Sequence, residues 1–332
     1  MLFSTTRKIK QPGAGAVLNR RQSGVLSAIR GTALAATVLM ATTVASVAEA
    51  NTLVRVTSTF GDFTLELFDD QTPNTVNNFL GYVDRGDYDM TVVHRSVNDF
   101  VIQVGAYNWL GDCVNESPLP GVNCSASFTE QQAPVVNEPV VSNTEGTIAM
   151  AKVDGNPNSA TSQWFINLGD NSENLDNQNG GFTAFGRVLG DGLNVANQIS
   201  NLEEHNIGGS AQAMPLRDWS SDRTDRNEKP KTENLVLMSA YRVDRFSSAM
   251  HVFEYSSGRL ATYVNLGDLG TYSLQFNLVQ DTGEIIFALD TTNMVPLEIT
   301  PEGMADYLPG EQKVAIPSVE VNNNGSVSVL NN

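Results

Sequence analysis

Histidine and cysteine are scarce in this sequence. Its 332 residues include three histidines, His94, His205 and His251, and two cysteines. It contains no phosphate-binding glycine loop, no nucleophile elbow and no helical pair of metal ligands. These absences exclude most acid–base schemes and the usual metal sites, so we expect no metal and no cofactor. Any catalysis by this chain is predicted to need neither a nucleophile nor a metal.

Basic residues are scarce beyond residue 50. The first 50 residues hold six of the 20 basic residues and one of the 37 acidic ones, which leaves 14 basic against 36 acidic residues and a net charge of about −22. Such a surface repels phosphate backbones and anionic lipid. Nucleic acid is therefore excluded as an expected partner, and the acidity is more typical of a solubility feature than of a recognition surface.

Long apolar runs are absent except for one weak candidate near the N terminus. A basic region is followed by an uncharged run from Gly31 to Ala48, and small residues surround a cleavage position after Ala50. This order is typical of an export signal. We predict a signal peptide over 1–50 and an exported, periplasmic protein without stable membrane insertion after cleavage. A retained N-terminal anchor and the twin-arginine route, suggested by Arg20-Arg21, stay open as alternatives.

The two cysteines, Cys113 and Cys124, lie in a loop-like stretch that contains Pro118 and Pro120. Export to an oxidising compartment favours a disulfide between them. In the chain-entropy model, closing a loop of this size stabilises the fold by up to ~3 kcal/mol, less any native strain. A metal site on two cysteines is the weaker alternative because it would need further ligands.

Apolar patterns predict a mostly β chain. Alternation from Leu53 to Phe68 indicates a hairpin, and Thr72-Pro73 begins a helix predicted over 73–84, with a second over 192–199. Short strand-like stretches lie at 90–96, 100–104, 147–151, 163–167 and 184–188, and a strand over 235–238 would close the sheet. The pattern indicates an antiparallel barrel or sandwich.

The chain changes character after about residue 245. Short β segments with turns at Ser257-Gly258 and Thr282-Gly283 predict a small all-β appendage with a loose tail. We therefore divide the chain into a signal peptide (1–50), a main domain (51–244) and a C-terminal β region (245–332). The main domain has an insertion at about 107–127 and a polar, irregular loop at 201–233, whose charged stretch at 220–226 is predicted to be solvated.

Five ordered blocks of sequence carry a family resemblance. They are Phe63–Phe68 (FTLELF), Thr72–Phe79 (TPNTVNNF), Val93–Gly105 (VHRSVNDFVIQVG), the pair Gly146–Ala151 and Ser159–Asn167 (GTIAMA, SATSQWFIN), and Phe185–Val188 (FGRV). In order and spacing they resemble cyclophilin-type peptidyl-prolyl cis-trans isomerases, most closely exported bacterial members. The resemblance covers about 52–243. It implies an eight-stranded antiparallel barrel, capped by two helices, with an open groove for an X-Pro segment.

The resemblance also implies the site residues. Arg95 is expected to be the central catalytic residue, together with Gln103. The expected groove residues are Phe100, Val101, Ala151, Gln163, Phe165, Leu175 and Phe182. His94 alternates to the other face of its strand and is expected to be structural.

Four positions depart from residues that are common in eukaryotic members. Val101 stands where those have Met, Lys152 where they have Asn, Asn174 where they have Trp, and Phe182 where they have His. The Trp position contacts cyclosporin in the family. We therefore expect weak binding of this drug.

The leading hypothesis is an isomerase that assists the folding of exported proteins and acts on proline-containing polypeptides. The alternative is a cyclophilin-like binding module or chaperone with little turnover, in which the C-terminal β region recruits a partner. The presence of both Arg95 and Gln103 favours the enzyme. Trp109 and the cysteine loop make the insertion at 107–127 a candidate for substrate selection, and the sequence predicts no particular oligomeric state.

Overall fold

The computed structural model of the chain describes residues 2–5, 51–112, 126–225, 228–280, 285–310, 313–323 and 326–331. Cys113 and Cys124, most of the predicted signal peptide and the Thr282-Gly283 turn lie outside the described residues. The described parts form an eleven-stranded sheet, a ten-stranded sheet and a two-stranded ribbon. The predicted mostly-β class is confirmed. Within these ranges no helix has the length and apolar character needed to cross a membrane.

The elements of the first 244 residues are as follows. The strands are β1 (Leu2–Thr5), β2 (Leu53–Ser58), β3 (Phe63–Leu67), β4 (Thr91–Val92), β5 (Arg95–Val97), β6 (Val101–Val104), β7 (Tyr107–Trp109), β8 (Ala126–Phe128), β9 (Thr147–Met150), β10 (Trp164–Asn167), β11 (Ala184–Val188), β12 (Glu204–His205), β13 (Met214–Pro215) and β14 (Leu237–Val243). The helices are α1 (Pro73–Arg85), α2 (Ser172–Leu175), α3 (Gly192–Ser200) and α4 (Ser221–Asp225).

The C-terminal β region contains only strands and one 3-10 turn among its described residues. The strands are β15 (Val252–Glu254), β16 (Arg259–Asn265), β17 (Thr271–Gln280), β18 (Ile285–Leu289), β19 (Val295–Leu297), β20 (Ala305–Leu308), β21 (Lys313–Ala315), β22 (Ser318–Asn323) and β23 (Ser326–Asn331). Their order is β18-β17-β16-β15-β22-β23, and β1 pairs with the outer edge of β18. The predicted all-β appendage is confirmed.

Eight strands form a ring because one segment pairs at both ends of the sheet. From β6 the antiparallel order runs through β10, β9, β11, β3, β2 and β14. The segment 91–97 supplies β4, which pairs with β14, and β5, which pairs with β6. It therefore joins the last strand of the ring to the first. This is the predicted eight-stranded barrel, with α1 and α3 packed on it and β7 and β8 extending from β4.

Helix α1 begins where the sequence predicts, but the side chain of the residue that precedes it does not accept hydrogen bonds from the N–H groups of its first turn. Thr72 occupies the cap position, yet its hydroxyl donates to the Phe68 carbonyl at 3.3 Å. The Glu138 carboxylate instead accepts the backbone N–H groups of Asn74 and Thr75 at 3.2 and 2.8 Å. An anion at this end of a helix is favoured by the unpaired N–H groups and the helix dipole. Glu138 thereby fixes its own loop to α1.

The barrel interior holds the first core. Inward residues of the strands pack with the apolar face of α1, and the largest fully buried side chains among them are Trp164, Tyr82, Tyr88, Phe79, Phe185, Leu65, Leu67, Ile102, Ile148 and Met150. The Phe79 ring lies at centroid distances of 5.3, 5.6 and 5.0 Å from Tyr88, Trp164 and Phe185. These tilted and edge-on contacts are the favoured geometries of aromatic pairs.

A second core lies on the outer side of β4 and β14. It gathers the insertion at 107–127, the loop at 201–233 and the C-terminal β region, and its buried members are Val92, Ala106, Tyr107, Trp109, Ala126, Ala211, Met214, Leu216, Trp219, Leu235, Leu237 and Val295. The loop at 201–233, predicted to be polar and irregular, thus contributes buried side chains ahead of its charged stretch at 220–226. Its apolar residues are separated by polar ones without a strand or helix period, which is why the pattern gives no sign of burial.

The C-terminal β region is joined to the barrel by a buried polar contact, which we call the junction. The Arg55 guanidinium lies 2.9 Å from the Asp62 carboxylate and also donates to the Ala249 carbonyl at 3.0 Å. The Asp62 N–H donates to the Tyr263 hydroxyl at 2.8 Å. Away from the junction, the Arg217 guanidinium lies 2.6 Å from the Glu298 carboxylate. These contacts fix the C-terminal β region to the barrel.

Candidate active site

Arg95 belongs to a row of side chains that crosses four adjacent strands. In the strand register, Arg95 is paired with Gln103, Gln103 with Phe165, and Phe165 with Ala149. Directly paired residues point to the same face of a sheet, and neighbours along a strand alternate. Because Trp164 belongs to the barrel core, the row faces outward. The register therefore brings a cation, an amide and an aromatic ring side by side on the barrel surface.

Two contacts orient the polar groups of this row. The Gln103 side-chain amide donates to the Gln163 side-chain oxygen at 2.8 Å. The Arg95 guanidinium carbon lies 5.8 Å from the centroid of the Phe100 ring, within the range of a cation–π contact. Gln163 precedes β10 and Phe100 precedes β6, so both approach the row from strand ends.

An apolar cluster adjoins the row on the outer face. It consists of Val101, Ala149, Phe165, Leu175 and Ala184, with Phe100, Val141, Ala151 and Phe182 packed against them. Phe165 and Phe182 meet edge to face at 6.0 Å between centroids. Phe165 is 4% exposed, whereas Phe100 and Phe182 are partly exposed, so the cluster reaches solvent at these two rings. The structure thus brings together all the residues that the sequence places in the groove.

The segment 171–182 delivers Leu175 and Phe182 to this cluster. The Phe182 N–H donates to the Leu175 carbonyl at 2.8 Å. The Asn143 side-chain amide donates to the Asp176 carboxylate and to the Phe182 carbonyl, both at 2.8 Å. Asn143 is fully buried, so its paired amide fixes the backbone behind the groove.

Burial lowers the pKa of both Arg95 and its neighbour His94, and leaves one charged and the other neutral. Partial burial lowers the pKa of the Arg95 guanidinium, while Glu204 acts to raise it. A partly desolvated cation acts more strongly on nearby charge than one in bulk water. Full burial lowers the pKa of His94 to about 4, so this ring is neutral near pH 7, and it packs edge-on to Tyr107. The predicted structural role of His94 stays a prediction.

One neighbour of Arg95 is not indicated by the sequence. The backbone of Ala213 forms a parallel bridge with Arg95, and its carbonyl accepts the Ser96 N–H at 2.6 Å. The loop at 201–233 therefore runs beside the site. No period or motif around Ala213 signals this contact, because it depends on the packing of the second core. Among the described residues, no group of three or more His, Cys, Asp or Glu side chains is placed to hold a metal ion.

Comparison with known proteins gives a match over the same region. The family described as "Cyclophilin type peptidyl-prolyl cis-trans isomerase/CLD" matches residues 53–221. A peptidyl-prolyl cis-trans isomerase of Acinetobacter baylyi is 34% identical over 162 residues, which are 48% of this chain and 77% of that protein. Peptidyl-prolyl cis-trans isomerase B of Escherichia coli is 36% identical over 166 residues, covering 48% of this chain and 89% of that protein.

Among solved structures, a cyclophilin type peptidyl-prolyl cis-trans isomerase of Cryptosporidium parvum is 21% identical, with a TM-score of 0.41, and covers 60% of this chain and 99% of its own. The family match and the bacterial relatives carry the assignment. This chain belongs to the cyclophilin-type peptidyl-prolyl cis-trans isomerases, the enzymes that interconvert the cis and trans forms of X-Pro bonds.

Proposed function

We propose that this chain isomerises X-Pro bonds in exported polypeptides, with Arg95 as the central catalytic residue. The observation that carries the proposal is the outward row of Arg95, Gln103 and Phe165 on three adjacent strands. A directed cation, a backbone-binding amide and an apolar pocket are what the reaction needs, and here they share one face.

The chemistry explains why a guanidinium suffices. Rotation about a peptide bond faces a barrier of roughly 18–20 kcal/mol because the nitrogen lone pair is delocalised into the carbonyl. In the twisted state this lone pair is localised on the prolyl nitrogen, where a donor can bind it. Arg95 is always protonated and offers directed N–H groups, so it would bind the twisted state more strongly than either planar state. No proton leaves the substrate, and no acid–base pair is required.

The remaining groove residues would hold the peptide in place. Phe165 with Phe100 and Phe182 provides an apolar site of suitable kind for the proline ring. Gln103 and Gln163, already joined by a hydrogen bond, would bond the peptide backbone beside the ring. Holding the proline side of the X-Pro bond in place lets the twist develop at that bond as the other side turns.

The proposed setting is the folding of exported proteins. The basic region, the uncharged run and the small residues before Asn51 support cleavage of a signal peptide (1–50) and release into the periplasm. The isomerase domain would then span 51–244 and the C-terminal β region 245–332. Edman sequencing of the protein recovered from periplasm should read Asn51 first; a chain that still begins at Met1 contradicts this part of the proposal.

Substitution of Arg95 tests the mechanism. In a chymotrypsin-coupled or NMR exchange assay on an X-Pro peptide, Arg95→Ala should lower kcat/KM by about 10²- to 10³-fold, as for loss of a main transition-state donor. Arg242→Ala is the matched control, because Arg242 is exposed and pairs with Asp84 on the surface. It should stay within about twofold of the wild type. Full activity of Arg95→Ala refutes the mechanism, and inactivity of both wild type and variant favours the binding module.

A further inference from the structure

Lys152 follows the groove residue Ala151, and its ammonium group is enclosed by oxygen atoms. The Lys152 Nζ donates to the carbonyls of Gly181 and Asn179 at 2.6 and 2.9 Å and to the Asn137 Oδ1 at 3.3 Å. An ammonium has three N–H donors, so these acceptors satisfy it completely. The Nζ also lies 4.6 Å from the centroid of the Phe182 ring.

The backbone around this ammonium forms an irregular turn at 179–181. Asn179, Gly180 and Gly181 have φ angles of 50°, 74° and 77°. This conformation is unfavourable for a non-glycine residue, and it turns the carbonyls of the segment away from regular pairing. The Asn137 side-chain amide donates to the Gly180 and Gly181 carbonyls at 2.9 and 2.8 Å. Lys152 and Asn137 therefore donate the hydrogen bonds that the carbonyl groups of this turn accept.

Phe182 follows the turn directly and forms one side of the apolar cluster. Its ring meets Phe165 edge to face, and the Lys152 ammonium covers it from another side. A cation over an aromatic face is attracted to it by the ring quadrupole, and more strongly when it is desolvated. The position of the ring consequently depends on Lys152 twice, through the turn and through direct contact.

We propose that Lys152 is a positioning residue for isomerisation, which holds the turn at 179–181 and thereby keeps Phe182 against Phe165. The inference rests on the proposed function, because it takes the apolar cluster as the site of the proline ring. Phe182 would contact this ring in the planar and twisted states alike. Loss of its position therefore weakens both states equally, which raises KM and leaves kcat unchanged.

The test compares Lys152→Met with the wild type. Methionine keeps an unbranched stem but removes the charge and the donors. We expect the KM for an X-Pro peptide to rise about fivefold to tenfold while kcat stays within about twofold. The Kd of the peptide, measured by NMR titration, should rise by the same factor. Lys152→Arg retains a cation over Phe182 and should recover most of the affinity, and Lys231→Met, at an exposed lysine before β14, should change neither constant.

Several outcomes overturn the inference. An unchanged KM in folded Lys152→Met contradicts the proposed role. A fall in kcat at constant KM also contradicts it, because that result indicates a role in the transition state. Lys152→Gln, which retains an amide donor, replaces the Met variant if that variant does not fold. The proposed function is tested separately. If the wild type has no isomerase activity, the proposed function fails, but the NMR titration still measures whether Lys152 contributes to peptide binding.

Discussion

The barrel core and the second core are assembled from different kinds of sequence. The barrel core takes alternate residues of regular strands and the apolar faces of α1 and α3, so most of its members follow from the strand and helix periods. The second core takes single residues from distant segments, such as Trp109, Met214 and Val295. The two cores share strand β14, where Met238 packs in the barrel core and Leu237 in the second.

This difference shows how the additions to the isomerase domain are integrated. A core made of isolated residues from three segments exists only when all three are in place. The insertion, the 201–233 loop and the C-terminal β region therefore form one body against the outer wall of the barrel. Because Ala213 bridges Arg95, this body also reaches the strand that carries the proposed catalytic residue.

The largest effect is expected at the junction between the two regions. The Arg55 and Asp62 side chains are each 6% exposed, and Asp62→Asn leaves the guanidinium buried without its counterion. Removing one partner of a buried pair costs about 3–5 kcal/mol of unfolding free energy. We expect a lower urea midpoint and an early transition as the C-terminal β region detaches, seen where circular dichroism and tryptophan fluorescence no longer coincide.

Two variants sharpen this test. Asp84→Asn breaks an ion pair whose side chains are 45% and 50% exposed, so it should cost less than about 1 kcal/mol. The double variant Arg55→Met/Asp62→Leu removes both charges and should be more stable than Asp62→Asn. If Asp62→Asn and the double variant lose the same unfolding free energy, the loss does not come from the unpaired charge of Arg55.

Acidification is expected to act on the two regions in opposite directions. Burial lowers the pKa of His94 in the barrel to about 4, whereas burial, helped by Asp244, raises the pKa of Glu254 in the C-terminal β region to about 7. Stability from neutral His94 is present above its usual pKa of 6.5 and is lost as pH falls toward 4. The Glu254 contribution is present below its usual pKa of 4.5 and is lost as pH rises through 7. The His94 contribution amounts to about 3 kcal/mol at full extent, and that of Glu254 is smaller because solvent screens part of it.

Unfolding free energies measured by urea between pH 4 and pH 8 check both signs. Glu254→Gln keeps an acceptor for the Asn322 amide, which donates to Glu254 at 2.7 Å, and should remove the loss of stability toward pH 8. His94→Gln should flatten the acid side. A Glu254→Gln profile parallel to the wild type above pH 5 shows that this carboxyl does not carry the effect.

The smallest effect is expected from a matched pair of cavities. Val295 and Val264 are both fully buried, one in the second core and the other in the core of the C-terminal sheet. Replacing either by Ala should cost about 2 kcal/mol of stability. Only Val295→Ala should also lower kcat, by about two- to fivefold, because its core supports the segment beside Arg95. Equal kcat values in the two variants break the link between the second core and the site.

Sequence predicts the regular part of this fold well. The helix predicted over 73–84 is observed as Pro73–Arg85 and ends at Gly86 in the left-handed conformation, and the helix predicted over 192–199 is observed as Gly192–Ser200. The Leu53–Phe68 hairpin and most barrel strands also lie where predicted, but the stretch 90–96 forms two strands, β4 and β5, and the closing strand predicted over 235–238 is observed as Leu237–Val243. Glu138 at the start of α1 is not predictable in this way, because the contact joins residues that are 63 positions apart.

The candidate site is predictable to the same extent. Arg95, Gln103 and Phe165 lie on strands, so their common face follows once the strands pair. Lys152 and Ala213 act through irregular turns whose shape depends on distant donors and on the second core. Sequence marks Lys152 only as a departure from the family, and it gives no reason for that departure.

The segment 91–97 both closes the ring and carries Arg95. The hydrogen bonds that join the two ends of the sheet are also those that set the guanidinium opposite Gln103. A chain whose ring is still open contains every residue of the groove, but Arg95 is not yet placed beside the others. Activity at the proposed site would begin only when this long-range closure is complete, so a newly made copy cannot catalyse any X-Pro isomerisation that its own folding needs before that moment.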